Sequence, residues 1–334
     1  MCYNENHRLS LGVDFLQKIK DLERKPKHCT TIGGQALIEG IMMKGPKDIA
    51  IAVRKPDNQI ELKKEAIKSP STKYKFLKWP FIRGVVGLVE AMVIGVNSLM
   101  YSAEFYEEEE VTEPGKIDKF FNNLFKDNAE KVAMYISLAL SMVIAVGVFM
   151  LGPTFITNML KRVIEVPIVL NLIEGLIRIL MFLIYVTAIS KIKDIQRVFE
   201  YHGAEHKSIH CYEHEEELTV ENIKKYPILH PRCGTSFLFM VMIISILVFS
   251  FFGWPNPLVR FLTRIAMLPV IAGISYEINR LIGRSNGKLA YLVSYPGLFI
   301  QKIATVREPD DSQIEVAIEA LKAVLVDDKE ADRW

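Results

Sequence analysis

The residues best suited to chemistry form one short histidine-rich segment. Four of the seven histidines recur every four residues in YHGAEHKSIHCYEH, at His202, His206, His210 and His214. Residues four apart on a helix lie one turn apart on the same face, so His202 and His206 can bind one ion, with Glu205 beside them. The order H-x-x-E-H is that of the inverted zinc proteases. We therefore predict Zn²⁺, or another divalent metal, on His202 and His206, with Glu205 as catalytic base.

A third ligand is predicted from a second motif, HPRCGT, which contains His230 and Cys233. A soft metal accepts either side chain, so both are candidate metal ligands. Cys233 beside His230 is also a candidate nucleophile. Glu277 is a less favoured candidate for the third ligand, since an ion pair or a hydrogen bond is its more ordinary role. The competing interpretation is that the histidines only hydrogen-bond backbone or lipid phosphate. Gly203 also weighs against the motif, since glycine costs about 1 kcal/mol inside a helix.

The composition is that of a protein with a large apolar fraction. Of the 334 residues, 50% are hydrophobic and 24% charged, which excludes a disordered chain and a disulfide-stapled miniprotein. The 41 Lys and Arg against 39 Asp and Glu give a net charge of +2, so we expect no nucleic-acid partner. Four cysteines without a CxxC pair favour a reducing compartment.

Apolar segments long enough to cross a bilayer account for the hydrophobic fraction. Val132–Gly152 and Thr235–Trp254 contain no charge, and Val166–Ser190 is equally long. Leu258–Tyr276 is a weaker fourth span. The ambiguous segments Pro80–Phe105 and Leu289–Ile300 suit helices that lie against or dip into the membrane.

Charged residues inside these segments need partners. Glu174 and Arg178 lie four residues apart within the third span, so they can neutralise each other. Glu90, in the ambiguous segment before the first span, is expected to form an ion pair or a hydrogen bond.

The charges flanking the spans predict the topology. The amino terminus has no apolar signal-peptide region, so it is expected to stay in the cytoplasm. Four crossings would return the histidine-rich segment and the carboxyl terminus to the same side. The distribution of Lys and Arg agrees with this topology. Residues 191–232 contain seven of them, whereas the turn after the first span contains only Lys161 and Arg162.

The remaining segments predict a small soluble module. Ile49–Val53 and Ile60–Leu62 flank a turn and predict a β-hairpin. The glycine-rich run TIGGQALIEGIMMKGP indicates a tight backbone structure close to another part of the molecule. Apolar residues from Ile314 to Leu325 recur at helical spacing after an acidic turn, which predicts an amphipathic helix. The fold class is therefore mainly α, a polytopic helical membrane protein with about four transmembrane helices and a small cytoplasmic α+β module.

The predicted organisation has six segments. They are an amino-terminal segment with the hairpin (1–79), a membrane-associated helix and charged linker (80–131), transmembrane helices 1 and 2 (132–190), the histidine-rich cytoplasmic loop (191–234), transmembrane helices 3 and 4 (235–280), and a cytoplasmic carboxyl-terminal region (281–334).

Several long motifs, in order, resemble one protein family. They are GGQALIEGIMMKGP, RGVVGLVEAMVIGVNSLMYSAE, YHGAEHK, LTVEN, LHPRCGTSFLF, AGISYEINR, YPGLFIQK and REPDDSQIEVAIEAL. The chain closely resembles the YqhQ family, bacterial membrane proteins of unassigned function often described as predicted metal-dependent enzymes. The resemblance implies a multi-spanning inner-membrane protein, with His202, Glu205, His206, His230 and Cys233 in shared motifs.

The predicted function is a metal-dependent, zinc-containing hydrolase at the cytoplasmic face of the membrane. By analogy to the motif, its preferred substrate is a peptide bond in a membrane protein, with a lipid-linked ester or phosphate next. The alternative is a non-catalytic membrane scaffold or ion-handling protein whose metal is structural or sensory.

Overall fold

The computed structural model describes residues 26–106, 129–284, 288–328 and 330–333. These residues form two compact units, each built from separate stretches of chain. The first unit contains 26–106, 186–241 and 272–333, and the second contains 129–185 and 242–271. The predictions for the amino terminus and for most of the charged linker lie outside the described residues.

The first unit contains a four-stranded antiparallel meander. Its strands are β1 (Gly33–Leu37), β2 (Gly40–Lys44), β3 (Asp48–Arg54) and β4 (Ile60–Ala66), in the order β1-β2-β3-β4. The predicted hairpin is confirmed as β3 and β4. The glycine-rich run forms β1 and β2, which were predicted only as a tight backbone structure.

Both faces of the central strands are covered, which explains why β2 and β3 are continuous apolar runs. On one face Ile41, Met43, Ala50 and Ala52 pack in the main core of this unit. The opposite face packs through a second cluster. Its members are Leu37, Met42, Ile51 and Val53, together with the partly buried Ile94, Tyr101 and Phe105.

Two helices cover the first face of the sheet. They are α6 (Lys193–Glu213) and α11 (Asp311–Val324). The predicted amphipathic helix is confirmed as α11, with buried Ile314, Ala317 and Leu321. Asp310 accepts the Gln313 backbone N–H, and the Gln313 side chain accepts the Asp310 N–H, so a capping box starts the helix. The short helices α1 (Pro70–Lys73) and α7 (Val220–Ile223) complete this region.

The opposite face of the sheet packs against α2 (Ile82–Ala103), the segment that the sequence left ambiguous. Ile38 donates its backbone N–H to Ser102, and Glu90 accepts from Ser69 and pairs with Lys44 at 3.6 Å. The expectation that Glu90 is paired is therefore confirmed.

The other helices are mostly apolar. They are α3 (Ala129–Val146), which continues through the π-helical segment Gly147–Leu151 into α4 (Gly152–Leu160), then α5 (Pro167–Ile189), α8 (Gly234–Ser250), α9 (Pro257–Gly283) and α10 (Lys288–Ile300). Among the described residues, four helical stretches are long and apolar enough to cross a membrane, namely Ile82–Ala103, Tyr135–Leu160, Pro167–Ile189 and Pro257–Gly283. Gly234–Ser250 is shorter than predicted, because its helix ends before the turn that contains Trp254.

Candidate functional site

The histidine-rich segment forms α6, as predicted, and one face of this helix presents His202, Glu205 and His206. The two imidazole ring centroids lie 4.4 Å apart. The segment preceding α8 brings Cys233 to the same place. One ligand atom each of His202, His206 and Cys233 lies within 4.8 Å of the others, so the three could hold a metal ion. We call them the His-Cys cluster.

Backbone carbonyls fix the orientation of both imidazoles. His202 Nδ1–H donates to the carbonyl of Thr305 at 2.8 Å, and His206 Nδ1–H donates to that of Ile228 at 2.6 Å. Each Nε2 therefore keeps its lone pair on the cluster side. His202 Nε2 lies 3.2 Å from Cys233 Sγ, and His206 Nε2 is buried without a hydrogen-bond partner in the described part of the chain. Metal-binding histidines in proteins usually have this outer support.

A glycine in the helix allows the segment that follows Thr305 to approach α6 closely. A Cβ at Gly203 would lie 2.0 Å from the Arg307 carbonyl oxygen, so no other residue fits without a shift. Arg307 also donates its N–H to the Phe199 carbonyl at 2.9 Å, which ties this segment to α6. The helix cost of Gly203 therefore has a reason, because the approach places Thr305 against His202.

Cys233 lies at the start of α8. Thr235 N–H points to its Sγ at 3.4 Å. Burial alone would raise the pKa of the thiol, but the His206 imidazole when it is protonated, and the Thr235 N–H, lower this pKa below its ordinary value. The thiolate, which is the form that binds metals, is therefore favoured.

His206 has the protonation state that a metal ligand requires. Burial lowers its pKa to about 4, so the ring is neutral at pH 7. A neutral imidazole with Nδ1–H bound to a carbonyl has only its Nε2 lone pair to offer.

Glu205 is buried beside the cluster with one oxygen bound and one free. Oε1 accepts the Gly34 backbone N–H at 2.9 Å, whereas Oε2 has no hydrogen-bond partner among the described residues. Burial raises the pKa of Glu205 to about 7. A Cβ at Gly34 would lie 3.1 Å from the Glu205 carboxyl carbon, so glycine also allows this contact. Glu205 can thus exchange a proton near neutral pH.

His230 belongs to a neighbouring group of side chains. Its ring centroid is 5.6 Å from that of His206 and 4.5 Å from that of His210. Its Nδ1 accepts the Arg232 backbone N–H at 3.3 Å, and its Nε2 lies 3.6 Å from Glu213. His210, Glu213 and His230 also converge within 4.8 Å, but Arg232 is ion-paired with Glu213. The geometry therefore favours Cys233 over His230 as the third ligand.

The remaining side chains considered from the sequence have partners of their own. Arg83 donates to Glu277 at 2.7 Å, which is the ordinary role expected for Glu277. His214 donates from Nδ1 to the His210 carbonyl at 2.8 Å. The imidazoles near Cys233 Sγ are those of His202, at 3.2 Å, and His206, whereas the sequence suggested His230.

A cavity of about 500 Å³ opens at the cluster. Its lining includes His202, Glu205, His206, Cys233 and the β1 residues from Gly33 to Ala36. This volume is in the range of small-molecule sites, so part of a larger substrate can enter.

Sequence reasoning missed the supporting groups of the site. The carbonyls of Thr305 and Ile228 act through the backbone, which carries no side-chain signal. Gly34 had a weak signal in the adjacent glycines of TIGG, because paired glycines often mark a close backbone approach.

Comparisons with known proteins identify relatives without an assigned activity. A family model described as "Protein of unknown function (DUF1385)" matches residues 79–327. The chain is 34% identical over 298 residues to "Uncharacterized protein YqhQ" of Bacillus subtilis (strain 168), covering 88% of this chain and 92% of that protein. No solved structure matches the chain. This extent of similarity, over the segments that build the His-Cys cluster, means that the chain belongs to the YqhQ (DUF1385) family.

Proposed function

We propose that the protein is a metal-dependent hydrolase at the cytoplasmic face of a membrane. The observation that carries this proposal is the convergence of His202, His206 and Cys233 beside Glu205, whose Oε2 has no hydrogen-bond partner within the described residues. Buried polar atoms are nearly always hydrogen-bonded, so unpartnered ones in a cavity indicate a ligand site.

The donor set fits zinc. Two imidazoles and a thiolate are ligands that Zn²⁺ prefers, and catalytic zinc sites use three protein ligands. Bound there, zinc would supply Lewis-acid chemistry to a carbonyl or phosphoryl group. The carbonyls of Thr305 and Ile228 would hold the ligand rings in place.

Glu205 is the proposed general base and acid. Glu205 lines the cavity, and because the Gly34 N–H fixes Oε1, the unpartnered Oε2 is the atom proposed to take up and return a proton. Because burial raises the pKa of Glu205 to about 7, both directions of transfer are accessible at neutral pH.

The substrate class follows from the cavity and its proposed location. We infer a peptide bond in a membrane protein, with a lipid-linked ester or phosphate as the next candidate. The cavity is lined by β1, an edge strand, beside the His-Cys cluster. An extended chain at that edge would bring its backbone to the cluster.

A parity argument supports four membrane crossings. The sheet, α6 and α11 share one core, so all three must lie on the same side of a membrane. An even number of helices must therefore cross between each pair of these elements. The residues that the structure describes between β4 and α6 contain three candidates, of which Ile82–Ala103 packs on the sheet, leaving Tyr135–Leu160 and Pro167–Ile189 to cross.

The same argument applies between α6 and α11. Pro257–Gly283 is long enough to cross, so Gly234–Ser250 must cross with it. At about 1.5 Å per residue, a 17-residue helix is at the short end of the range for spans. The Lys and Arg excess of residues 191–232 supports a cytoplasmic position for the shared core and for both termini.

The test combines metal analysis with a search for products. Full-length wild type, Glu205→Gln and the control Glu221→Gln, an exposed carboxyl of the same unit, are purified in detergent and their zinc content is measured by plasma mass spectrometry. Membranes from cells that produce each protein are analysed for peptide amino termini that are absent from cells without the protein. We expect about one zinc per chain in all three proteins, and new termini in every sample except Glu205→Gln.

Two outcomes contradict the hydrolase. Identical peptide termini and lipid profiles in the wild-type and Glu205→Gln membranes would favour the alternative of a scaffold or ion-handling protein. Absence of metal from the wild type would remove the basis of the proposal.

A thiol hydrolase is the second candidate. The 3.2 Å distance from Cys233 Sγ to His202 Nε2 and the lowered pKa of Cys233 favour it. In that case new termini would depend on Cys233 but persist in the presence of a zinc chelator.

A further inference from the structure

The second unit contains a buried cluster of charges that the proposed hydrolase does not use. Glu174 on α5 is almost fully buried and contacts three arginines, namely Arg178, Arg260 and Arg264. Arg178 lies one turn further along α5, whereas Arg260 and Arg264 come from α9. The predicted Glu174–Arg178 pair is confirmed at 3.2 Å, but the two arginines of α9 were not predicted as its partners.

The charges of this cluster do not balance. Arginine stays protonated in proteins, so three guanidinium groups against one carboxylate leave a net charge of +2. Arg260 and Arg264 have side chains that are only 5% and 8% exposed. Within residues 132–185 and 242–271 of this unit, the only acidic side chain besides Glu174 is that of Glu165, which is exposed. Excess buried positive charge is unfavourable unless an anion offsets it.

The remaining contacts of the arginines are neutral. Arg264 donates to the Thr154 hydroxyl at 2.6 Å, and Arg178 donates to the Phe149 carbonyl at 3.2 Å. The Arg260 guanidinium lies 3.3 Å from the centre of the Trp254 ring. These contacts orient the guanidinium groups without supplying a full negative charge.

A cavity lies beside the two arginines of α9. It has a volume of about 60 Å³ and is lined by Asn171, Thr263, Arg260 and Arg264, together with residues of the exposed turn that follows α8. Since one water needs about 10–15 Å³, this cavity has room for a phosphate-sized anion. The exposed turn at its rim provides access from outside.

The position of the cavity matches the depth of lipid headgroups. Arg260 is three residues after the first residue of α9, and Asn171 is four after the first residue of α5. At about 1.5 Å per residue, both lie roughly 5–6 Å from the ends of helices that are long enough to span a bilayer.

We propose that Arg260 and Arg264 bind a phosphate group at this cavity, supplied by the headgroup of an anionic lipid. Paired guanidinium groups match phosphate oxygens in geometry and in charge. The phosphate binds at the ends of α5 and α9, and Glu174 holds the arginines in position between lipid encounters. This site stands independently of the hydrolase proposal, although a lipid as its source assumes the membrane location.

The test uses the full-length protein in an uncharged detergent. Phosphatidylglycerol, phosphatidylcholine with the same acyl chains, and inorganic phosphate are the probes, and binding is followed by native mass spectrometry and by the thermal unfolding midpoint. We expect phosphatidylglycerol to bind at least tenfold more tightly than phosphatidylcholine. Arg260→Gln and Arg264→Gln should each weaken that binding about tenfold or more.

Two further variants keep the test decisive if an arginine variant does not fold. Thr263→Leu places bulk in the cavity and leaves every ion pair intact, so it should also weaken phosphatidylglycerol binding at least tenfold. Arg83→Gln removes an arginine that pairs with Glu277 in the other unit, and its binding should equal that of the wild type.

The outcomes separate the sources of the phosphate. If phosphatidylglycerol raises the thermal unfolding midpoint and millimolar inorganic phosphate does not displace the lipid, the phosphate comes from the lipid headgroup. Binding of inorganic phosphate that requires Arg260 and Thr263 indicates a free phosphate site. Equal binding of phosphatidylglycerol by the wild type, Thr263→Leu and a folded arginine variant overturns the proposal.

Discussion

The His-Cys cluster of the first unit and the Glu174–arginine cluster of the second are both buried, but they solve the problem of burial in opposite ways. In the first, burial keeps His206 neutral at pH 7, and lone pairs converge on one point. In the second, the groups stay charged, and one carboxylate contacts three guanidinium groups.

The difference indicates which kind of ligand each cluster can accept. Neutral nitrogens with free lone pairs and a thiolate attract a cation. Guanidinium groups in excess of carboxylates attract an anion. Counting lone pairs and charges in each cluster therefore separates a candidate metal centre from a candidate phosphate site, even though both would be described simply as buried polar residues.

The largest effect is expected from Glu174→Gln, because this change leaves two buried arginines and the partly buried Arg178 without their carboxylate. We expect a loss of about 3–5 kcal/mol in the free energy of unfolding, measured by denaturant titration in detergent. The matched control Glu277→Gln breaks the more exposed pair with Arg83 and should cost about 1 kcal/mol or less. Similar losses of unfolding free energy in both variants would mean that burial does not set the contribution of the Glu174–arginine cluster to stability.

The next effect concerns the third ligand of the His-Cys cluster. Cys233→Ser should weaken zinc binding by about 100-fold or more, since a thiolate ligand is removed. His230→Gln should change it much less, because His230 faces Glu213 and the Arg232 N–H. Competition with a chromophoric chelator measures both affinities, with Cys211→Ser as the control thiol. A larger loss of zinc affinity in His230→Gln than in Cys233→Ser would mean that His230 is the third ligand.

A smaller effect is expected where Gly203 meets the Arg307 carbonyl. Although alanine favours helices, Gly203→Ala should destabilise the protein by about 1–3 kcal/mol, because its Cβ meets a backbone oxygen. Gly87→Ala is the matched control, since a Cβ there has nothing within 4 Å, and it should stabilise by up to about 1 kcal/mol. Denaturant titration of both variants checks this, and a gain in stability for Gly203→Ala would contradict the close approach.

The smallest effect compares two buried thiols. Burial raises the pKa of Cys211 to about 12, whereas the pKa of Cys233 lies below its ordinary value. As pH rises, Cys233 becomes a thiolate first, so in metal-free protein at pH 8 it should be alkylated at least about tenfold faster than Cys211. Peptide mass spectrometry after timed iodoacetamide treatment measures both rates. Faster alkylation of Cys211 would mean that the cavity does not admit the reagent to Cys233.

The parts of this molecule that were predictable are those encoded by local spacing. The four-residue interval placed His202 and His206 on one helical face, and the same interval paired Glu174 with Arg178. The apolar periodicity of α11 was readable for the same reason. β1 and β2 were missed because glycine and proline interrupt the run TIGGQALIEGIMMKGP five times, and such residues usually mark turns and not strands.

The sequence by itself determined the helix that carries the histidines, the long apolar helices and the family, because these depend on residues close together in the chain or on long runs of motifs. Only the tertiary structure decided that Cys233 joins His202 and His206, that the Thr305 carbonyl orients His202, and that Arg260 and Arg264 reach Glu174. These contacts join residues that are distant in sequence, and packing of whole helices and strands brings them together. No local pattern of residue types specifies such packing, which is why the chemistry of both clusters became visible only in the folded chain.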